Sequence, residues 1–204
     1  MNIAVQGNDQ SFAELTTGIE SVNWIRINSL ENKESFSDAD AIFLLNDEPL
    51  LPASFNPTVP VFINSVSKKI AEYNINYPLI RINGWNGFLQ RTSWEIAGEV
   101  NDEIKKILSS IQKKYISVPD EPGFISARVI AMIINEAYFA KSEQVSTEQD
   151  IDIAMKLGTN YPYGPFEWGR MIGIPHVYAL LKKLSASNEL YTASTLLQQE
   201  ATNP

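Results

Sequence analysis

Residues 120–140 read DEPGFISARVIAMIINEAYFA, and this stretch separates two kinds of sequence. Pro122 and Gly123 break the chain, and beyond them apolar residues recur every three or four positions, which predicts one long helix with an extensive apolar face. The residues that give this helix are Phe124, Arg128, Ile130, Ile133, Ile134, Ala137 and Tyr138. Strand patterns nearly vanish after this point. We therefore expect one domain over residues 1–118 and an all-α domain over residues 119–204.

Three more helices are predicted in the second domain. Ser146 and Gln149 fit a capping box at the start of the first, and Gly158 suits its left-handed end. Its buried stripe is expected to be Ile151, Ala154 and Met155. Pro175 suits the first position of the next helix, because its ring fixes a helical φ and the missing N–H costs nothing there. The last helix is expected over residues 193–200.

The first half of the chain alternates short β-rich runs with polar connectors. Strands are predicted at residues 2–5, 22–27, 41–45, 59–63, 79–83 and 93–96, with a further one at 115–118. Several runs, such as AIFLL at 41–45, are apolar on consecutive residues, which favours strands buried on both faces of a parallel sheet. Short helices are predicted at 11–18 and 101–114. The expected fold class is α/β.

Composition narrows the classes of function. The net charge of −8 argues against nucleic acid and against an anionic membrane surface, because both partners need clustered Lys and Arg. The chain has no cysteine and one histidine, His176. These counts exclude most metal sites, and they exclude Ser/His and Cys/His hydrolases unless His176 is the catalytic histidine. His176 itself is expected to be a surface residue. Without an apolar signal or membrane-spanning stretch, a cytoplasmic location is the expectation.

The helical half resembles the C-terminal domain of 3-hydroxyacyl-CoA dehydrogenases. The resemblance rests on DEPGFISARVIAMIINEAYFA and on EQDIDIAMKLGTNYPYGPFEWGRMIG at 148–173, within a match of about 80 residues. In that family the domain forms much of the dimer interface and one wall of the acyl-CoA cleft, and it follows an NAD-binding Rossmann domain. The resemblance implies a homodimer and an acyl-CoA ligand here. It also implies that residues 1–118 are a truncated, Rossmann-like domain. The alternative for the matching residues of the helical half is that they only build a helical bundle.

The glycine pattern for NAD is incomplete. Gly7 stands at the first glycine position after the first strand, but Asp9 and Phe12 replace the second and third glycines. A carboxylate at Asp9 would repel the diphosphate, and Phe12 would separate the helix from the strand. No acidic residue follows the second strand to hold the ribose. We therefore expect no cofactor, with NAD remaining the cofactor if the family activity is retained.

The family's catalytic positions are also altered. By resemblance, Asn83 replaces the histidine base, Glu95 retains the glutamate that holds it, and Ser67 retains a serine that touches the substrate hydroxyl. The alternative for Ser67 is a loop serine that satisfies the local backbone. Ala127 replaces the asparagine that supports the substrate carbonyl, whereas Arg128 matches a family arginine.

Trp85 and Trp94 flank the altered turn. They either fill the core or lie against a nucleotide.

Three functions remain possible on these residues. The first is a dimeric binding or scaffold protein of fatty-acid and acyl-CoA metabolism that has lost redox chemistry. The second is an active 3-hydroxyacyl-CoA (3-hydroxybutyryl-CoA) dehydrogenase whose cofactor site has been rebuilt. The third is a regulatory subunit that pairs with a full-length dehydrogenase. The replacements at Asp9, Asn83 and Ala127 favour the first.

Overall fold

The computed structural model describes residues 1–203, which divide into two compact units, Met1–Phe124 and a second that begins at Ile125. The first unit is an α/β domain and the second is all-helical, as predicted. The strands are β1 (Asn2–Gln6), β2 (Asn23–Arg26), β3 (Ala41–Leu44), β4 (Val61–Asn64), β5 (Leu79–Ile82), β6 (Ser93–Ala97) and β7 (Lys114–Ser117). The helices of this unit are α1 (Asp9–Thr16) and α2 (Asp102–Ser110), with 3₁₀ helices at Lys33–Phe36 and Ile70–Tyr73.

One seven-stranded sheet carries the first unit, in the order β2-β1-β3-β4-β5-β6-β7. The first five strands are parallel, and β6 runs antiparallel to β5. Every residue of β3, β4 and β5 is buried, as expected for central parallel strands. The four residues of β3 are all apolar, whereas β4 includes Asn64 and β5 includes Arg81. Phe43 and Phe62 stack across β3 and β4 with ring centroids 4.4 Å apart. In the sheet, β2 lies on one side of β1 and β3 lies on the other, so the strand order reverses at β1.

The two faces of the sheet are covered differently. On one face, α1 and α2 bury Leu15, Ile104, Ile107 and Leu108 against the sheet. On the other face, the irregular segments before β3, β4 and β5 supply Leu30, Phe36 and Phe55. The predicted helix at 101–114 ends earlier, at Ser110, because Gln112 turns into a left-handed conformation with φ 56° and the chain then starts β7.

Five helices form the second unit: α3 (Ile125–Ser142), α4 (Glu148–Thr159), α5 (Pro165–Ile172), α6 (Ile174–Ser185) and α7 (Thr195–Thr202), with a 3₁₀ helix at Glu189–Tyr191. A buried amide ties the longest helix to the last. Asn135 donates to the Thr192 carbonyl at 2.9 Å and accepts from the Ser194 N–H at 2.8 Å. Pro175 lies in the first turn of α6, as its sequence position predicts.

Three expectations for α4 are wrong. The N-cap is Thr147, whose hydroxyl accepts from the Asp150 N–H at 3.2 Å, instead of Ser146. The helix passes through Gly158 and ends at Asn160, which takes the left-handed conformation with φ 57°. The expected stripe is not buried either: Ala154 is exposed, and within this helix only Asp152 is buried. The apolar side of α4 therefore does not contribute to the core of this chain.

None of the helices within residues 1–203 is long and apolar enough to cross a membrane.

Candidate functional site

The candidate site lies at the edge where the carboxyl ends of the parallel strands meet. Because β1, β3, β4 and β5 run in the same direction, the residues that follow them lie at one edge of the sheet. These residues include Gly7, Leu45, Ser65 and Asn83. The reversal of strand order at β1 makes this edge the usual place for a ligand crevice in an open α/β sheet.

Gly7 begins the turn between β1 and α1, and packing alone accounts for it. A Cβ atom at this position would lie 2.6 Å from the Ser11 hydroxyl and 2.9 Å from the Leu45 Cβ. The turn then enters α1 through Asn8, whose side chain accepts from the Ser11 N–H at 2.8 Å. A glycine here is required for the close approach of β1, α1 and β3, so its presence does not depend on a cofactor.

An ion pair lies across the same turn. The Arg26 guanidinium is 2.5 Å from the Asp9 carboxylate, and it also donates to the Gly7 carbonyl at 3.3 Å. It lies over the Phe12 ring, 5.1 Å from the centroid. A diphosphate at a helix N-terminus needs open backbone N–H groups and no competing carboxylate. The residues present at this turn do not fit NAD in the family manner.

Glu14 connects α1 to the loop after β5. Both of its carboxylate oxygens lie 2.9 Å from the Gly87 nitrogen, and one also accepts from Gln10 at 3.2 Å. Asn64 makes a second connection along the same edge: it donates to the Leu45 carbonyl at 3.2 Å and accepts from the Gly84 N–H at 2.9 Å. Side chains of this chain therefore bond to the backbone of Leu45, Gly84 and Gly87.

Asn83, which the resemblance predicts at the family's base position, is buried after the end of β5 with 8% of its surface exposed. Its carbonyl oxygen accepts from the Trp85 N–H at 3.2 Å, whereas its amide nitrogen is buried and has no partner among the described residues. Glu95, on β6, therefore accepts no hydrogen bond from this amide, and its charge acts on Arg91. An amide at this position can donate a hydrogen bond but cannot take up a proton.

Ser67 lies in the loop after β4, where its backbone is held by a carboxylate that the sequence analysis did not single out. Glu48, from the loop after β3, accepts from the Ser67 and Lys68 N–H groups at 2.8 and 2.9 Å. Glu48 itself adopts φ 42°, which is rare for a side chain with a Cβ.

Arg81 was also missed, because a charged residue inside an apolar strand gives no local signal of its partner. It is completely buried on β5 and forms an ion pair with Asp120. Its other N–H groups donate to the carbonyls of Ser65, Val66 and Glu121 at 3.0 to 3.3 Å. All these partners lie in the first unit, so Arg81 holds residues 120–121 to the loop after β4.

In the second unit, Ala127 is fully buried in α3 and Arg128 is half-buried. His176 lies in α6, where it is partly exposed beside Gly173.

Trp85 and Trp94 both belong to the core of the first unit. They are 3% and 4% exposed, and the Trp94 indole donates to the Leu89 carbonyl at 3.2 Å. Core filling is the correct interpretation of the two tryptophans.

The second unit has an ionic network between α3, α4 and α5. Glu148 bridges Lys141 at 2.5 Å and Arg170 at 2.8 Å, and hydrogen bonds from these two cations lower its pKa. Asp152 is buried and accepts from the Phe166 and Glu167 N–H groups, which lie at the start of α5. No group of three or more acidic or histidine side chains within residues 1–203 is placed to hold a metal ion.

The comparisons with known proteins agree on the second unit. The family profile described as 3-hydroxyacyl-CoA dehydrogenase, C-terminal domain, matches residues 123–203. The chain is 45% identical to the 3-hydroxyadipyl-CoA dehydrogenase of Escherichia coli over 91 residues, which are 44% of this chain and 19% of that protein. It is 37% identical to the 3-hydroxybutyryl-CoA dehydrogenase of Clostridioides difficile over 98 residues, 47% of this chain and 35% of that protein. The matched part thus spans between a fifth and about a third of these relatives.

Solved structures extend the likeness to both units. A crystal structure of 3-hydroxybutyryl-CoA dehydrogenase from Escherichia coli is 33% identical with a TM-score of 0.60, over 71% of this chain and 32% of that one. The (S)-3-hydroxybutyryl-CoA dehydrogenase from Ralstonia eutropha has a TM-score of 0.73 over 99% of this chain and 93% of that one. At 16% identity, this second likeness shows the fold alone. Residues 123–203 therefore match the C-terminal domain of the 3-hydroxyacyl-CoA dehydrogenase family.

Proposed function

We propose that this chain is a non-redox member of its family, a dimeric binding or scaffold protein of acyl-CoA metabolism. The observation that carries the proposal is the turn between β1 and α1, where the Asp9 carboxylate lies at the start of α1 and pairs with Arg26 at 2.5 Å. An incoming diphosphate would have to displace that ion pair and approach the Asp9 carboxylate. Both requirements would weaken the binding of the dinucleotide.

The replaced base supports the same proposal. Removing a general base typically slows a reaction by about 10²- to 10⁴-fold, or roughly 3 to 5 kcal/mol of barrier. Asn83 has no titrating proton, and its amide nitrogen donates nothing to Glu95. Together with an altered cofactor turn, this loss leaves two separate requirements of hydride transfer unmet.

Binding without chemistry remains compatible with the residues that are retained. Ser67, Glu95 and Arg128 match family positions, and Arg128 follows the buried Ala127 on α3. A CoA thioester is the ligand we propose for these residues.

The exposed side of α4 supports self-association. Ile153 and Leu157 are 43% and 82% exposed, and Ile125 and Val129 on α3 are 58% and 53% exposed. Apolar side chains that recur on one helix and meet no core are typical of an interface. A second copy of this chain is the partner that we propose.

Self-association is tested by sedimentation equilibrium on the wild-type chain and two variants. Leu157→Asp places a charge on the exposed side of α4 and is expected to give a monomer. Leu190→Asp is the matched control, because Leu190 is 69% exposed in the separate 3₁₀ helix, and it should remain a dimer. A wild-type monomer, or a Leu157→Asp dimer of unchanged affinity, would rule out this surface.

Cofactor binding and turnover are tested together. Purified protein is titrated with NADH while its unfolding temperature is followed, and acetoacetyl-CoA is then added as the oxidant. A site filled at 100 times its Kd would add about 2.7 kcal/mol of stability. We expect no such shift and no NADH oxidation. Micromolar NADH binding with turnover would disprove the proposal.

The second candidate is an active 3-hydroxyacyl-CoA dehydrogenase with a rebuilt cofactor site, which Ser67 and Glu95 favour. NADH binding with turnover of acetoacetyl-CoA in the experiment above would support this candidate.

A third candidate is a subunit that joins a full-length dehydrogenase. It rests on the match of residues 123–203 to the C-terminal domain that the resemblance assigns to the dimer surface of the family. Mixing the chain with an active dehydrogenase and looking for a mixed dimer by native mass spectrometry tests this candidate.

A further inference from the structure

The loop that follows β5 contains two asparagine–glycine dipeptides in close succession. Residues 82–87 read INGWNG, and the two dipeptides are Asn83-Gly84 and Asn86-Gly87. An asparagine that precedes a glycine is prone to deamidation, because the glycine has no Cβ to hinder the approach of its nitrogen to the asparagine side chain. One short loop therefore carries two candidate sites of spontaneous chemical modification.

The fold requires both glycines. A Cβ at Gly84 would lie 2.6 Å from the Cγ atom of the buried Asn64, so no other residue fits there without displacing that side chain. Gly87 has φ 86°, a left-handed conformation that residues with a Cβ rarely adopt. The two dipeptides are therefore a consequence of how this loop packs and turns.

Deamidation proceeds through a succinimide ring. The glycine nitrogen loses its proton and bonds to the side-chain Cγ atom of the preceding asparagine. The bond between Cγ and Nδ2 then breaks, and ammonia leaves with that proton. Water opens the ring at either of its two carbonyl groups, which gives aspartate or isoaspartate. The reaction therefore requires a glycine N–H that can lose its proton and an asparagine side chain that can reach the nitrogen.

At the second dipeptide, Glu14 accepts a hydrogen bond from the glycine N–H. Both of its carboxylate oxygens lie 2.9 Å from the Gly87 nitrogen, although the two residues are 73 positions apart. The negative charge of the carboxylate opposes removal of the proton, because an amide anion would then lie directly against a second anion. The same bond attaches the loop to α1 and limits the rotation of Gly87 towards Asn86.

At the first dipeptide, Asn64 on β4 has the same role. Its side-chain oxygen accepts from the Gly84 N–H at 2.9 Å. The Asn83 side chain is bonded to a different nitrogen, since its oxygen accepts from the Trp85 N–H at 3.2 Å. Two side chains from separate elements of the first unit therefore bind the two glycine nitrogens.

We propose that Asn83 and Asn86 are deamidation sites that Asn64 and Glu14 keep unreactive in the folded chain. Loss of either hydrogen bond releases the reaction at one asparagine and not at the other. A carboxylate formed at Asn83 would stand at a position that is 8% exposed, where an added charge is costly. The proposal does not depend on the function proposed above, because it involves neither a cofactor nor an acyl-CoA.

Peptide mapping measures both sites in one experiment. The folded chain is incubated at mildly alkaline pH, digested with trypsin and analysed by tandem mass spectrometry. Cleavage after Arg81 and Arg91 gives one peptide that contains both asparagines, and its fragments assign the conversion of amide to acid to one of them. A sample digested without incubation gives the background, and the chain unfolded in guanidinium gives the reference rate. We expect both sites to react about tenfold more slowly in the folded wild type, the factor that one hydrogen bond to a charged group provides.

Two variants test the two hydrogen bonds separately. Glu14→Ala should raise the rate at Asn86 about five- to tenfold and leave the other site unchanged. Asn64→Ala should raise the rate at Asn83 and leave Asn86 unchanged. Glu14→Gln keeps an acceptor without the charge and should give an intermediate rate. Glu20→Ala removes an exposed carboxylate from the segment after α1, and as the matched control it should leave both sites at their wild-type rates.

The difference between the two sites distinguishes this proposal from a general loss of stability, because an opened fold exposes both dipeptides together. Circular dichroism verifies that each variant is folded. The proposal is overturned if the folded wild type deamidates as fast as the unfolded chain, or if each variant accelerates both sites equally. It is also overturned if Glu14→Ala leaves the rate at Asn86 unchanged, or lowers it as the loss of a general base would.

Discussion

Asp152 provides the sharpest test of how the helical unit is held together. Its carboxylate is buried in α4 and accepts from the Phe166 N–H at 2.8 Å and the Glu167 N–H at 3.1 Å. It also packs directly on the turn before α5, because a Cβ at Gly164 would lie 2.3 Å from its Oδ1 atom. One side chain thus caps a helix that follows 13 residues after it in the chain and fixes α4 against α5.

The expected cost follows from these two bonds. Asp152→Ala removes both acceptors, and the Phe166 N–H is buried, so it loses its partner without gaining water. A hydrogen bond to a charged group contributes about 1.5–3 kcal/mol, and the Glu167 N–H, which is less buried, should recover part of its loss. We expect Asp152→Ala to lower the free energy of unfolding by about 2–4 kcal/mol. Asp152→Asn keeps one acceptor and should cost about half as much.

Guanidinium unfolding, followed by circular dichroism, gives the free energies, and hydrogen exchange of the peptide over residues 164–172 locates the change. Asp102→Asn is the control, because that side chain is 97% exposed and pairs only with Lys105. It should leave both measurements unchanged. The reasoning is refuted if Asp152→Ala unfolds at the wild-type denaturant concentration, or if exchange in α5 stays as slow as in the wild type.

Three further predictions concern other parts of the chain. The pKa of Glu148 is lowered from its ordinary 4.5 by hydrogen bonds from Lys141 and then Arg170. Its contribution to stability is therefore present above pH 4.5 and lost as the pH falls through the lower pKa of the folded state. Glu148→Gln should make the free energy of unfolding less dependent on pH in the acid range, and an unchanged dependence would contradict the ion pairs. Tyr77→Phe should leave the protein equally or more stable in chemical denaturation, because the Tyr77 hydroxyl has no partner among the described residues. Tyr73→Phe should lower the free energy of unfolding by about 1 kcal/mol, because it removes the bond to Ser65. An equal loss for both variants would show that the Tyr77 hydroxyl has a partner. Gly7→Ala should destabilise the first unit by about 1–3 kcal/mol in thermal melts, with or without NADH, because of the contacts at 2.6 and 2.9 Å; a neutral effect would remove the packing explanation.

Local patterns predicted the sheet closely. All seven strands appear within two residues of their predicted bounds, and AIFLL at residues 41–45 lies in a central strand that is buried throughout. Strands buried on both faces are apolar at most positions, so a short window of sequence contains most of the signal. The long helix α3 was predicted for a similar reason, since its period repeats over five turns.

The prediction of a buried stripe on α4 was wrong because the sequence does not show what its apolar residues contact. Periodicity located the helix, but it cannot distinguish a side that packs on the same chain from a side left exposed. The cap was misplaced by one residue because Ser146 and Thr147 are adjacent and both can cap.

The candidate site divides in the same way. Residue type and spacing predict the replacements at Asp9, Asn83 and Ala127, and these assignments stay predictions. Contacts between distant residues cannot be predicted in this way: Arg26 reaches Asp9 across 17 positions, Glu14 reaches Gly87 across 73, and Arg81 reaches Asp120 across 39.

The sequence by itself determined the α/β and all-α halves and the family that the helical half matches, because local periodicity and motifs contain that information. Only the tertiary structure decided that Glu14, Asn64 and the Asp9–Arg26 pair occupy the carboxyl edge of the sheet, that Arg81 and Asp152 are buried with their charges satisfied, and that one side of α4 is exposed. Each of these features depends on which distant residues meet when the chain folds. Their hydrogen bonds and their burial exist only in the folded chain.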